Sequence, residues 1–199
     1  MDDSKIEIIL DAARKRFAHY GLSKTTMTEI ANDVGMSKAA LYYYFTDKDT
    51  LFIAVLKKDI AGFENAVQNL LDKPTKASYK LKKYAAIRSE FFHTFLNLAK
   101  LESANIADLV KPLYNELKTT LLDREKVMVR KIFETGVKSS EFNRFPLDAY
   151  ADVFIMGMVG LRASVFTLNL VSGKEAKSEL DQKAALFTEI FLKAIRRSS

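Results

Sequence analysis

Three phenols stand side by side at Tyr42, Tyr43 and Tyr44, closed by Phe45 and preceded by Ser37, Lys38, Ala39 and Ala40. These residue types suit contact with a polyanion. A phenolic hydroxyl donates to a phosphate oxygen, a lysine neutralises it, and an alanine methyl fits against a thymine methyl. Read as a helix at about 100° per residue, the stretch divides into two halves. Lys38, Ala39, Tyr42 and Tyr43 fall on one, and Ala40, Leu41, Tyr44 and Phe45 on the other. Leu41 and Phe45, with Tyr44 beside them, are expected to pack on Phe17, Ile30 and Val34, which turns Lys38, Tyr42 and Tyr43 outward. The competing reading is a plain three-helix packing unit with tyrosine as an amphipathic filler.

Other chemistry leaves little trace. The chain of 199 residues has no cysteine and two histidines, so a disulfide framework, thiolate catalysis and a thiolate metal site are excluded and a zinc site is not expected. His93 falls with Ala86, Glu90 and Asn97 on a polar helix side and reads as a solvated histidine. With no phosphate loop, metal spacing or nucleophile elbow, neither an enzyme nor a cofactor is expected.

The elements that must position these groups are helices. Seven glycines and three prolines punctuate the chain, and apolar residues recur at helical spacing, which predicts an all-α fold. Ile6, Ile9, Leu10, Ala13, Phe17 and Tyr20 form one stripe, stopped at Gly21. Thr26 and Glu29 make a capping box for a short helix ending at Gly35, Ser37 caps another through Phe45, and Asp47 caps a long helix from Lys48 to about Asp72. Two short helices joined at Gly35-Met36-Ser37 have the helix-turn-helix pattern, whose second helix enters the major groove. Longer helices are predicted over about 75–100, 113–138, 147–171 and 179–197, with SSEFNRFP and SGKEAKS as loops. The shift from short to long helices places the domain boundary at 46/47.

The stretch from Lys5 to Leu56, containing AARKRFAHYGLSKTTMTEIANDVGMSKAALYYYFTDKDTLFIAVL, resembles the N-terminal DNA-binding domain of the TetR family of one-component transcriptional regulators. The carrying elements are the aromatic-x-x-x-Gly end of the first helix, Thr25-Thr26, Ile30-Ala31 with Gly35, Ser37, Leu41-Tyr42 with Phe45, and Lys48 followed by Leu51. The resemblance implies DNA contacts at Thr26, Ser37, Lys38, Ala39, Tyr42, Tyr43, Tyr44 and Lys48. Ala39 stands where the family often has glycine and Tyr44 where it often has histidine. The implied architecture is a helix-turn-helix domain over 1–46 and, over 47–199, a long-helix bundle for effector binding and dimerisation. The implied function is a cytoplasmic homodimeric repressor, released from a near-palindromic operator when a small molecule binds the bundle. MDDSKIEIIL, which is no secretory signal, agrees with that location.

Charge argues for another class. Residues 1–47 carry six cations against seven acids, net −1, while the rest carries 25 cations against 18 acids, net +7. That distribution keeps open a helical small-molecule-binding or interaction protein without specific DNA recognition. In the bundle, Arg88 falls among aromatics on a face with Tyr84, Phe91 and Phe95. It reads either as the partner of an acid across the bundle or as the anchor of an anionic effector; Met128 and Arg162 complete the candidate pocket. Val153–Leu170 is long enough to raise a membrane span, but Arg162 near its centre opposes one. A dimer interface is the better reading, with Gly157, Gly160 and Ala163 permitting close approach and Leu180, Ala184, Phe187, Phe191 and Ala194 supplying a second stripe.

Overall fold

The computed structural model describes residues 3–98, 110–165 and 174–197, without the side chains of 93–98, 110–114 and 174. The described residues form α1 (Asp3–Tyr20), α2 (Met27–Asp33), α3 (Lys38–Tyr44), α4 (Lys48–Leu71), α5 (Ala77–Leu98), α6 (Val110–Lys138), α7 (Leu147–Ala163) and α8 (Lys174–Ile195). Extended pairing among them is limited to an isolated antiparallel bridge between Phe142 and Arg196, so the fold is all-α as expected.

The chain divides into two compact units, 1–62 with 92–118 and 63–91 with 119–199. In the first, Ile9, Leu10, Ala13 and Phe17 of the α1 stripe are buried, as are Met27, Ile30 and Ala31 of α2, Leu41 of α3 and Leu51 and Phe52 of α4. Phe17 meets Phe52 edge-on at 5.3 Å. Local chemistry sets the joints. Gly21 and Gly35 take φ of +82° and +67°, conformations that L side chains resist. At the second, Met36 N–H donates to the Ala31 carbonyl at 2.9 Å and closes α2 before Ser37 opens α3.

In the second unit Phe133, Phe154, Phe187 and Phe191 interlock, with Phe133 stacked on Phe191 at 5.8 Å and Phe154 on Phe187 at 5.4 Å. Gly157 is what lets α7 and α8 approach: a Cβ there would stand 2.4 Å from Phe187 Cζ.

Three boundaries differ from the periodicity. α6 starts at Val110 because Pro112 lies in its first turn, where the missing N–H breaks no helical bond. α8 starts at Lys174, so Lys174–Ser178 is helix and not loop; Ala176 and Leu180, one turn apart, are buried with Val165 and extend the apolar stripe. α7 ends at Ala163 with Ser164 at its C-cap, and 166–171 lie outside the described residues.

Candidate nucleic-acid interface and buried polar cluster

α3 is opened by Ser37, whose Oγ accepts from Ala40 N–H at 3.1 Å. Of its residues Leu41 is buried, Tyr44 half-buried, and Lys38, Ala39, Tyr42 and Tyr43 exposed. Tyr43, at 76% exposure, is the most open large hydrophobic side chain among the described residues. Lys38 Nζ lies 5.8 Å from the Tyr42 ring centroid, and the Tyr43 and Tyr44 rings meet edge-on at 5.4 Å. One exposed face therefore offers an ammonium, two phenols and small side chains. That set can donate to phosphate and come close to base edges.

The flanking candidates are tied into caps. Thr26 completes the capping box of α2: its N–H and hydroxyl donate to Glu29 Oε2 at 2.8 Å, and its Oγ1 accepts from Glu29 N–H at 3.3 Å. Lys48 Nζ donates to the Thr25 carbonyl at 3.0 Å. It thereby bridges the α1–α2 turn to the start of α4 and keeps further donor capacity.

The acids of this region lie apart from α3, which carries none itself. Arg16 binds Asp33 with both nitrogens of its fork, at 2.5 and 2.8 Å, and reaches Glu29 at 3.3 Å. Lys58 of α4 pairs with Glu7 and Asp11. Asp47 accepts from Thr50 N–H at 2.6 Å as the cap of α4. The hydrogen bonds from Thr26 hold Glu29 below the ordinary carboxylate range, Arg16 does the same for Asp33, and the Thr50 amide for Asp47. Five of the seven acids of the N-terminal stretch are thus engaged in pairs or caps, and none of the five lies on α3.

Arg88 is paired in the second unit. Its Nε lies 2.6 Å from Glu125 Oε1, with the two side chains 2% and 0% exposed, and Tyr84 donates its hydroxyl to the same oxygen at 2.5 Å. Burial first, and then the Glu125 charge, pushes the Tyr84 phenol well above its ordinary value and keeps it a donor. Of the two roles open to Arg88, the ion pair across the bundle is the one present. Phe91 stacks on Phe63 at 4.7 Å, while Met128 lines a separate cleft of about 520 Å³ between α4 and α6 with Val127 and Gln68. Arg162 is half-buried on α7. The Phe95 and His93 side chains lie outside the described residues. Helical periodicity passes over Glu125, although a signal is present: an acid among Leu121, Val129 and Ile132 on an apolar helical stripe needs a buried cation.

Residues 9–55 match the sequence model of the bacterial regulatory proteins of the tetR family. Over 51 residues the chain is 45% identical to the HTH-type transcriptional repressor Rv1474c of Mycobacterium tuberculosis, a match covering 26% of this chain and 27% of that repressor. It thus spans about a quarter of the length of the curated relatives it matches. Similarity over the whole length comes from a crystal structure of a transcriptional regulator from Cytophaga hutchinsonii, 38% identical, covering 97% of this chain and 99% of that one with a TM-score of 0.89. The chain belongs to the TetR family of regulators.

A TetR transcription regulator from Haloarcula marismortui, 17% identical with a TM-score of 0.78 over 98% of this chain and all of its own, shares the fold. In TetR terms α2 and α3 form the helix-turn-helix of the N-terminal domain. The tetR match ends within α4, so α5–α8, with the Arg88–Glu125 pair, lie beyond it.

Apolar side chains also face outward on the last two helices. Val153 and Met156 on α7 are 60% and 41% exposed, Leu186 and Ile190 on α8 are 62% and 59% exposed, and a Cβ on Gly160 would meet nothing within 4 Å. The expected α8 stripe is largely spent inside the chain instead, since Leu180 and Ala184 are buried and Phe187 and Phe191 join the aromatic cluster. Gly157 likewise faces Phe187 of its own chain. Among the described residues no helix is long and apolar enough to cross a membrane.

Proposed function

We propose that the protein is a sequence-specific DNA-binding transcriptional regulator, a homodimeric cytoplasmic repressor that leaves a near-palindromic operator when a small molecule binds it. The observation that carries this reading is the exposed, acid-free face of α3, with Lys38, Tyr42 and Tyr43 outward and Leu41 inward. In this reading α3 enters the major groove. Lys38 neutralises a phosphate, Tyr42, Tyr43 and Tyr44 supply phenolic contacts, and Ala39 lies against base edges. Thr26, Ser37 and Lys48 contribute at helix starts, whose amides carry partial positive charge suited to backbone phosphates. Residues 1–46 do the reading and residues 47–199 the sensing and pairing.

Dimerisation is assigned to Val153, Met156 and Gly160 of α7 with Leu186 and Ile190 of α8, so that four helices, two from each copy, close one apolar seam. The effector binds residues 63–91 and 119–199, with Met128 and the α4–α6 cleft as a candidate entry. A ligand releases DNA only by binding one spacing of the two recognition helices better than the other. α4 contributes residues to both units and is the element able to report that difference.

The test is selection of random duplex DNA by the purified protein at near-physiological salt. An enriched two-fold-related motif is expected. No enriched motif from a folded, ligand-stripped dimer would defeat the reading and leave a helical small-molecule-binding protein.

A further inference from the structure

The excess cations of this chain lie outside the DNA-reading stretch, and several gather where α6 ends. A cleft of about 570 Å³ opens between the α6–α7 turn and the end of α8, walled by Lys138, Ser140, Asn143, Arg144 and Arg197 over a floor that includes Phe142. Among the described residues its lining has three cations and no carboxylate. The neighbouring acid, Glu141, is engaged elsewhere, its two oxygens accepting from the Ala77 and Ser78 N–H groups at 2.7 and 3.1 Å. Lys138 pairs with Glu134 at 2.8 Å but is 75% exposed, a pair too solvated to hold it. The guanidinium groups of Arg144 and Arg197 make no hydrogen bond or ion pair among the described residues.

The walls are fixed by backbone. Asn143 N–H donates to the Ile195 carbonyl at 2.9 Å, and Arg197 N–H to the Glu141 carbonyl at 3.2 Å. Asn143 Nδ2 reaches the Arg196 carbonyl at 3.1 Å. Ser140 turns the chain at φ +59°, and Phe142 packs so closely on Gly136 that a Cβ there would stand 2.1 Å from its ring. Two exposed arginines therefore stand on opposite segments that line one cleft. Like charges gathered there repel one another until a counter-ion arrives, and the planar arginine fork is shaped for phosphate.

We propose that this cleft binds a small soluble polyphosphate-bearing molecule, a second ligand site separate from the recognition helix. The test is calorimetric titration of the full chain with inorganic pyrophosphate, at low ionic strength and at about 0.15 M salt. Saturable one-to-one binding per chain is expected. Arg144→Ala or Arg197→Ala should weaken it about tenfold, Arg144→Lys less, and Lys38→Ala not at all. Both arginines are exposed, so unchanged helicity is expected and is checked by circular dichroism. Absence of saturable binding by helical wild-type protein would overturn the proposal, as would binding indifferent to Arg144→Ala and Arg197→Ala. Loss of pyrophosphate binding in Lys38→Ala would place the anion on α3 and overturn it too. Were the two arginine variants to lose affinity for non-operator duplex DNA and not for pyrophosphate, the source would be a DNA backbone, again against the proposal.

Discussion

At the residue scale the weightiest group is Arg88. Removing it by Arg88→Ala leaves the Glu125 carboxylate, 0% exposed, without its charge partner. A loss of about 3–5 kcal/mol is expected from chemical denaturation, because an uncompensated buried charge costs more than the pair contributes. The triple change Arg88→Met, Glu125→Leu and Tyr84→Phe should recover most of that loss, since it removes both charges at similar volume and leaves no buried hydroxyl without its acceptor. Recovery of none would mean that the triad holds the second unit together through more than its electrostatics. The exposed cation of α3 behaves differently. Lys38 is surrounded by solvent, so Lys38→Ala should leave the melting temperature unchanged. It should weaken operator binding and lower the slope of log affinity against log salt by about 1. Fluorescence anisotropy over a salt series reads both, and an unchanged slope would remove Lys38 from the contact set.

The helices themselves carry two further expectations. The α1–α2 joint depends on carboxylates held below their ordinary values, Glu29 by Thr26 and Asp33 by Arg16. A depressed folded-state value means that the stabilisation is present above the unfolded value and is lost as pH falls through the folded one. Helicity should therefore be flat near neutrality and decline below about pH 4. Asp33→Asn should lower stability at neutral pH and flatten that decline; an equally steep decline in the variant would show that other carboxylates govern it. Two helical glycines should answer oppositely to alanine. In Gly157→Ala the new methyl meets the Phe187 ring, and a loss of about 1–3 kcal/mol is expected from overpacking. In Gly62→Ala the methyl meets nothing within 4 Å, so a gain of about 0.5–1 kcal/mol is expected from helix propensity alone. Gly62 is also where the first unit's share of α4 ends, which makes that variant a probe of whether α4 must yield in the proposed release of DNA.

For the whole molecule, the proposed seam through the exposed apolar residues of α7 and α8 carries the expectation that operator binding depends on assembly. Leu186→Glu with Ile190→Glu puts four acids into a seam between two copies, and sedimentation should then find monomers with unchanged helicity. Operator affinity should fall by far more than the loss of one contact would cause, because a palindrome is read by two linked recognition helices. A dimer that survives this change would move the interface elsewhere. The family itself reads at this scale as well: 38% identity over nearly the full length of the Cytophaga hutchinsonii regulator extends the kinship beyond residues 9–55 into the part where the motifs are silent.

The sequence alone determined the helical class, the helix-turn-helix joints and the outward face of α3. Each rests on neighbours within one or two turns: Thr26 with Glu29, Gly35 at positive φ, Ser37 as a cap, and the 100° step that separates Leu41 from Tyr42 and Tyr43. The first turn of α8 was hidden because SGKEAKS has loop composition, and its helicity depends on burial of Ala176 and Leu180 beside Val165. The tertiary structure alone decided the pairing of Arg88 with Glu125, 37 residues away, the inward use of Gly157, and the arginine-walled cleft between α6 and α8. Those depend on which faces of distant helices meet, and helical periodicity says that a face is apolar without saying what will cover it.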